Sequence, residues 1–297
     1  MIDASNLEEL AAALEASPDY RVLRRLRRRE PVEGYAATET RLGLMVDVET
    51  TGLDPDRDEI IELAMVPFRY ALDGMIVEVQ EPFDRLREPT KLISPEITTL
   101  TGISDTMVSG KSIDPEEVAA FAAPAAVVIA HNAAFDRHFL ERFSPVFSTK
   151  PWACSMSEID WAAEGFEGTK LSYLALALGF FYDRHRAAND CLAAIEILAQ
   201  ELPRMHVPAL VRLLDRARLP TWRIWAENSP FEFKNLLKAR GYRWNGEDNG
   251  KPRSWYLDVA DAEKDAEISY LLREIYRYEA DIKTVRVTAY DRFSSRV

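Results

Sequence analysis

The 297-residue sequence has only two cysteines, Cys154 and Cys191, and no CxxC or Cys/His spacing. A disulfide framework is therefore excluded, and both thiols are expected to be buried in a reducing compartment. No apolar run approaches the roughly 20 residues that cross a bilayer. The first residues, MIDASNLEELAAALEAS, lack the basic start and apolar stretch of a secretory signal. The sequence thus predicts a cytoplasmic protein with no membrane partner.

Basic residues are also scarce, and the formal net charge is −12. Proteins that bind nucleic acid usually present a basic surface. Residues 42–203 contain 27 acidic and 12 basic side chains, whereas residues 204–297 contain 14 acidic and 18 basic ones. Surface acids give solubility, but clustered acids also bind divalent cations. The charge is therefore compatible with an enzyme whose acidic site is filled by cations.

Periodicity and turn signals divide the chain into four segments. They are an N-terminal helical extension (1–40) with helices at 6–16 and 18–29, an α/β domain (41–203), a helical linker (204–220) and a small α+β domain (221–297).

Strand and helix patterns alternate within residues 41–203. Apolar or β-branched runs predict strands at 44–46, 60–69, 75–83 and 126–130. Helices are predicted at 116–121, 133–143, 171–178 and 190–201, with Asn132 as the N-cap of the second. This order favours a mixed sheet flanked by helices. In the last segment, helices are predicted at 231–240 and 262–278, and strands at 254–259 and 284–290.

The first chemical motif is Asp47-Val48-Glu49, at the end of an apolar strand. Residues i and i+2 of a strand point to the same face, so these two carboxylates lie together. Like charges beside an apolar core are costly unless a cation lies between them. Three other Asp-x-Glu triplets occur, but only this one follows a predicted buried strand.

Two further motifs add acids and an imidazole. HNAAFD at 131–136 places Asp136 about one turn into a helix, where the helix dipole favours a negative charge. HRAAND at 185–190 places His185 in a loop and Asp190 at the start of the next helix. Taken singly, Asp136 is equally well explained as an acid at a helix start, and His185 as a polar residue with satisfied hydrogen bonds.

Taken together, these motifs resemble the DEDDh 3′-5′ exonuclease family in their order and spacing. That family includes the proofreading epsilon subunit of bacterial DNA polymerase III, RNase T and oligoribonuclease. The resemblance covers residues 42–202 and extends to ITTLTGI at 97–103 and LSYL at 171–174. It implies a ribonuclease-H-like fold with a five-stranded mixed sheet flanked by helices. All five catalytic positions are present: Asp47, Glu49, Asp136, His185 and Asp190.

The resemblance implies phosphodiester hydrolysis with two Mg²⁺ ions on the order of 3.5–4 Å apart, Mn²⁺ being able to substitute. Asp47 bridges the two metals in this scheme. Glu49 and Asp190 complete the site at the attacking water, and Asp136 serves the second metal. His185 is the candidate general base, because an imidazole ionises near neutral pH. The implied product is a nucleoside 5′-monophosphate.

The resemblance also implies contacts with the terminal nucleotide. Leu53 is placed to wedge against the last base, whereas for Phe135 a position in the core is the alternative. The residues expected to bind substrate are Thr50, Thr51, Leu53, Asn132 and Phe135.

Two groups of residues outside the motifs can each be interpreted in two ways. Aromatic and basic residues alternate in the last segment, where they either stack bases and hold phosphates or form a small core with arginines in solvent. The arginine-rich run at 24–29 is either a solvated helix face or a nucleic-acid contact.

Three functions remain open from the sequence. The first is a DNA 3′-5′ exonuclease, free-standing or associated with a DNA polymerase, and the second is an RNA 3′-5′ exonuclease. DNA is favoured, because the extended pattern looks epsilon-like and the chain is much longer than a compact oligoribonuclease. The third is a non-catalytic nucleic-acid-binding or polymerase scaffold protein, against which the five intact positions argue.

Overall fold

The computed structural model describes residues 6–36 and 39–297. The chain forms two compact units, Met1–Leu214 and Asp215–Val297. Residues 1–5, 37 and 38 of the predicted N-terminal extension lie outside the described residues. The four segment limits predicted from the sequence stay a proposal.

The first unit alternates strands and helices. In chain order its elements are α1 (Leu7–Glu15), β1 (Arg24–Arg25), β2 (Thr40–Thr50), β3 (Ile60–Ala71), β4 (Ile76–Val79), β5 (Phe83–Leu86), α2 (Pro95–Thr101), α3 (Asp105–Val108), α4 (Pro115–Ala122), β6 (Val127–Ala130), α5 (Ala133–Phe143), a 3₁₀ helix (Pro145–Thr149), β7 (Trp152–Cys154), α6 (Leu171–Ala177), β8 (Phe180–Phe181) and α7 (Ala187–Ala199).

A mixed sheet forms the centre of this unit, as predicted. Its strand order is β4-β3-β2-β6-β7, and β5 also pairs with β3. The β2–β3 pair is antiparallel, whereas the β2–β6 and β6–β7 pairs are parallel. Helix α7 packs against β2 and β3, and α5 packs against β2, β6 and β7. Both helices that carry predicted site acids therefore pack against the central sheet.

The strand predicted at 75–83 is two strands, β4 and β5, which lie end to end on the same edge of β3. Among the described residues the sheet therefore has six strands. It is five strands wide, because β4 and β5 share one edge. The break contains Pro82, which has no N–H to donate to a ladder. Gln80 N–H donates instead to the Pro67 carbonyl at 2.8 Å.

One local prediction is wrong. Residues 18–29 form no helix; β1 lies there and pairs in parallel with β8, whose residues are far away in the sequence. Asn132 is the N-cap residue of α5, as predicted, but its backbone is left-handed, with φ at 100°, and its side chain makes no capping hydrogen bond.

The second unit is a small α+β structure, as predicted. Helix α8 (Ala209–Arg218) contains the boundary and lies within the predicted linker. Beyond it come β9 (Thr221–Ala226), a 3₁₀ helix (Phe231–Phe233), α9 (Lys234–Ala239), β10 (Arg243–Trp244), β11 (Trp255–Ala260), a 3₁₀ helix (Asp261–Glu263), α10 (Lys264–Tyr270), a π-helical turn (Leu271–Tyr276) and β12 (Thr284–Val287). The sheet order is β10-β11-β9-β12. Strand β9 was not predicted from the sequence. Its buried and partly buried residues do not alternate, so the strand lacks the period of two on which such a prediction depends.

The aromatic residues of the second unit favour the core interpretation. Tyr242 belongs to the buried core, and Trp222 and Trp255 pack against that core. Trp244, on the edge strand β10, differs from them, because 55% of it is exposed.

Three of the arginines of this unit, Arg223, Arg240 and Arg243, are bound to acids. Arg223 donates two hydrogen bonds to the Asp258 carboxylate, at 2.7 and 2.8 Å, and Arg243 donates a third at 2.9 Å. Arg240 binds the Glu267 carboxylate at 2.8 Å. Their charges are therefore offset within the unit.

Both cysteines are buried free thiols, as predicted. In the described ranges of the chain, no helix combines the length and apolarity that a bilayer span requires.

The β2–β3 contact gives a stability prediction. Gly43 faces the fully buried Phe68 across the pair, and an added Cβ would lie 2.5 Å from the Phe68 ring. We expect Gly43→Ala to lower the free energy of unfolding by about 1–3 kcal/mol, because the core has no room for the methyl group. Denaturant unfolding measures this change.

The matched control is Gly168→Ala. Its added Cβ would meet Tyr173 at an ordinary 3.7 Å. We expect it to leave stability unchanged or to raise it slightly, since alanine restricts the unfolded chain. Equal unfolding midpoints for the two variants would contradict the prediction.

Candidate active site

Strand β2 carries the first two acids. It is hydrogen-bonded to β3 on one side and to β6 on the other, so its backbone is fixed. Asp47 and Glu49 are two residues apart and line the same cavity, as strand alternation predicts. The register shifts between Glu49 and Thr50, where the strand leaves the sheet. The two carboxylates therefore lie at the open end of β2.

Asp136 comes from the first turn of α5 and is buried. Its Oδ1 accepts a hydrogen bond from the Val48 N–H at 3.2 Å. This bond connects the helix start to the strand between Asp47 and Glu49. The Val48 N–H and the helix dipole both favour the ionised form of this carboxyl group, whereas its burial opposes ionisation.

Asp190 lies in the first turn of α7, which begins at Ala187 rather than at the predicted residue 190. Its carboxylate accepts hydrogen bonds from the Tyr182 hydroxyl at 2.8 Å and from the Arg186 N–H at 3.2 Å. His185 lies in the preceding loop and has a left-handed backbone, with φ at 60°.

Three of the acids form a compact group. One carboxylate oxygen each from Asp47, Glu49 and Asp190 lies within 4.8 Å of the other two. Asp136 is outside this group but lines the same cavity of about 370 Å³. His185 lines it as well. The structure thus brings all five predicted catalytic residues together.

Four of the five predicted substrate residues also line this cavity: Thr50, Leu53, Asn132 and Phe135. Leu53 is 84% exposed. Phe135 is partly exposed and its ring packs 5.0 Å from that of Phe139, so it faces both the cavity and the core.

Thr51 is placed differently from its predicted role. Its hydroxyl donates to Asp58 Oδ1 at 3.3 Å and accepts the Glu59 N–H at 3.0 Å. The lining residues of the cavity do not include it. Thr51 therefore holds the loop after β2 together, and its contact with substrate stays a proposal.

Burial raises the pKa of all four carboxyl groups. The pKa of Glu49 rises to about 8, first through lost hydration and then through repulsion from Asp190. Burial also raises the pKa of Asp136 to about 8, although the Val48 N–H opposes this rise. The pKa of Asp47 and that of Asp190 are raised as well, again mainly by burial. The acids are thus costly to ionise together without positive charge between them.

This donor set fits a hard divalent cation. Carboxylate oxygens are the ligands that Mg²⁺ and Mn²⁺ prefer. The group of three acids contains neither thiolate nor imidazole, which would favour a softer metal. Asp47, Glu49, Asp136 and Asp190 are therefore the residues that could hold metal here.

Glu62, a fully buried acid on β3, was not predicted from the sequence as part of the site. Its Oε1 accepts two hydrogen bonds from the Arg186 guanidinium, at 2.9 and 2.7 Å. Its Oε2 accepts the Ala187 N–H at 2.9 Å. Glu62 thus fixes the residues that directly follow His185. Only the run Ile60-Ile61-Glu62-Leu63, an acid within apolar residues, hinted at this position.

His131 lines the cavity and was given no role from the sequence. Its ring nitrogens hydrogen-bond the Ser155 hydroxyl at 2.9 Å and the Thr169 carbonyl at 2.7 Å. Burial lowers the pKa of His131 to about 4. The ring is therefore neutral at neutral pH and supports the cavity wall.

The chain is similar in sequence to parts of bacterial DNA polymerase III. The chain is 32% identical to a PolC-type DNA polymerase III of Clostridium perfringens over 54% of this chain and 11% of that protein. It is 28% identical to the DNA polymerase III epsilon subunit of Treponema pallidum, over 59% of this chain and 82% of that subunit. The chain spans only 11 to 14% of the PolC-type polymerases of Clostridium perfringens, Thermotoga petrophila and Caldanaerobacter subterraneus.

Among solved structures, E. coli exonuclease I in a complex with single-stranded DNA is similar in fold. The TM-score is 0.50 at 16% identity, over 74% of this chain and 63% of that one. The family model described as Exonuclease matches residues 44–198. This match spans more than half of the chain and all five site residues, so the protein belongs to the RNase T exonuclease family.

Proposed function

We propose that this exonuclease is a divalent-metal-dependent 3′-5′ enzyme that shortens DNA from its 3′ end and releases nucleoside 5′-monophosphates. The observation that carries the proposal is the convergence of four acids and His185 on one cavity. These five residues come from one strand, two helices and a loop, so their meeting is a property of the fold.

In this proposal, Asp47, Glu49 and Asp190 hold one Mg²⁺ ion, and Asp136 with Asp47 holds a second. When bound, the ions activate a water and stabilise the charge on the leaving oxygen. The raised pKa values of Glu49 and Asp136 support it, because a bound cation would offset the lost hydration and the repulsion from Asp190 that favour the protonated forms.

His185 is proposed to take the proton from the attacking water. A general base must lie within hydrogen-bond reach of that proton. His185 lines the same cavity as Asp190. The Glu62 contacts to Arg186 and to the Ala187 N–H hold the two residues that directly follow His185.

The terminal nucleotide is proposed to lie against the apolar rim of the cavity. Leu53 lines it from the loop after β2 and Leu100 lines it from α2, and these residues are 84% and 52% exposed. DNA is the proposed substrate, because the relatives include a DNA polymerase III epsilon subunit. The same relative supports association with a DNA polymerase. The predicted cytoplasmic location stays a prediction.

A nuclease assay tests the proposal. Wild-type protein with Mg²⁺ or Mn²⁺ is expected to shorten 5′-labelled single-stranded DNA from the 3′ end, and faster than the matching RNA. Glu49→Gln is expected to lower the rate about 10²–10³-fold, since a lost metal ligand removes several kcal/mol of transition-state stabilisation. Asp47→Asn should act in the same direction.

The control for this assay is Glu116→Gln, the same change in another Asp-x-Glu triplet. Glu116 is exposed on α4, so the rate should equal that of the wild type. RNA shortened faster than DNA would overturn the substrate assignment. A wild-type protein that is folded, binds metal and degrades neither strand would overturn the activity.

A second prediction concerns His185. We expect His185→Asn to lower kcat by about 10²–10⁴-fold, the usual contribution of general base catalysis. Metal binding, measured by calorimetry with Mn²⁺, should be unchanged, because the metal ligands are acids. A kcat within twofold of the wild type would exclude His185 as the base.

A third prediction concerns pH. Glu49 has a pKa of about 8 in the folded protein and an ordinary value of 4.5. Between these values the unfolded chain loses its proton first, so ionisation favours unfolding. The melting temperature of the metal-free protein should therefore fall as the pH rises from about 4.5 to about 8.

Glu49→Gln removes this titration and should flatten the fall. Added Mg²⁺ should raise the melting temperature of the wild type most at the alkaline end, where the acids are ionised. Thermal unfolding in EDTA and in Mg²⁺ measures both effects. Identical pH slopes for the variant and the wild type in EDTA would contradict this prediction.

A further inference from the structure

The arginine-rich run lies in an extended segment, residues 21–32, which we call the arginine segment. Its backbone pairs with the chain just before the His185 loop: Arg24 N–H donates to the Gly179 carbonyl at 3.0 Å, and Leu26 N–H donates to the Phe181 carbonyl at 2.8 Å. These bonds form the parallel pair of β1 and β8. The segment lies outside the part of the chain that the family model matches.

The arginine side chains bind the same region. Arg21 donates to the carbonyls of Leu176 and Ala177 at 2.6 Å, at the C-terminal end of α6. A cation there also interacts favourably with the helix dipole. Arg25 forms an ion pair with Asp183 at 2.9 Å, and its guanidinium lies 5.2 Å from the centre of the Phe181 ring.

The remaining contacts extend the segment across the first unit. Arg29 donates to both oxygens of Glu196 on α7, at 2.9 Å each. Arg28 binds the Val79 carbonyl and the Glu81 carboxylate on and beside the edge strand β4. These guanidinium groups are thus engaged within the chain, which argues against the interpretation of the run as a nucleic-acid contact.

The His185 loop is short and is held at both ends. Strand β8 ends at Phe181, and α7 begins at Ala187. At the far end, Glu62 binds Arg186 and the Ala187 N–H. At the near end, α7 contributes the Asp190 contact to the Tyr182 hydroxyl and the Asn189 contact to the Asp183 carbonyl, and the arginine segment contributes the backbone pairing with β8 and the Arg25–Asp183 ion pair. Between them, His185 has a φ of 60°, a conformation that a non-glycine residue keeps only where its surroundings determine it.

We propose that the arginine segment is a positioning element for His185. By pairing with β8 and binding Asp183, it fixes the near end of the loop and with it the imidazole at the cavity. The role of His185 in this inference rests on the proposed function. Because small displacements of a catalytic group reduce the rate strongly, release of the segment should lower kcat and leave the metal ligands in place.

The test compares two double variants of the full-length chain. Arg21→Ala/Arg25→Ala removes side-chain contacts to α6 and the loop. Arg24→Ala/Arg28→Ala removes the same charge, but its side-chain contacts are to Glu8 and Glu15 inside the extension and to the edge of the sheet. The readouts are kcat and KM on DNA, and amide hydrogen exchange of residues 179–186, which needs no activity.

We expect the first variant to exchange residues 179–186 at least about fivefold faster and to lose about fivefold in kcat, with KM within twofold, since each exposed pair contributes modestly. The second variant should resemble the wild type in both readouts. Unchanged exchange and kcat in the first variant would overturn the proposal. An equal rise in KM for both variants would overturn it in favour of nucleic-acid contact.

Asp183→Asn provides a second route, because it removes the partner of Arg25 from the loop itself. Its loss of kcat should not add to that of Arg25→Ala, since both changes break one contact. Full additivity would count against the proposal. If the wild type is inactive but exchange still separates the two double variants, the exonuclease proposal fails and the structural role of the segment stands.

Discussion

The site depends on one constraint: acids that repel each other must be held together at the edge of an apolar core. Burial, together with repulsion from the neighbouring acids, raises the pKa of Glu49 and that of Asp136, so ionising the whole group is costly. The fold meets this constraint with rigid carriers. Asp47 and Glu49 lie on a strand that pairs with β3 at both residues and with β6 just before them, and Asp136 is hydrogen-bonded to the backbone between them. The site is therefore built to receive positive charge rather than to be neutral by itself.

A further acid, Glu62, is fully buried on the neighbouring strand β3 and is itself ion-paired. It is the Cα partner of Glu49 in the sheet, and its charge adds to the repulsion on Glu49. The Arg186 guanidinium compensates it, together with the Ala187 N–H. A buried charge that is paired and fully hydrogen-bonded is tolerated, whereas an unpaired one is not. The same ion pair therefore permits a buried acid and fixes the start of α7, which presents Asp190.

The features of the site that depend on residues close together in the sequence were predictable. Strand alternation placed Asp47 and Glu49 together, and a helix after a buried strand placed Asp136 near its first turn. Contacts between distant residues were not predictable. Glu62 and Arg186 are 124 residues apart, so no local pattern connects them. For the same reason residues 24–25 were predicted as helix: their apolar spacing was visible, whereas their partner strand at 180–181 was not.

The net charge of −12 now has a physical consequence for the proposed activity. Arginines that form ion pairs within the chain, such as Arg29 with Glu196 and Arg223 with Asp258, contribute little attraction for phosphates. In the proposed function, cations at the acids and the apolar rim would both act on the terminal nucleotide, whereas a basic groove would hold a strand anywhere along its length. An acidic protein with such a site is therefore proposed to favour the end of a strand over the rest of it.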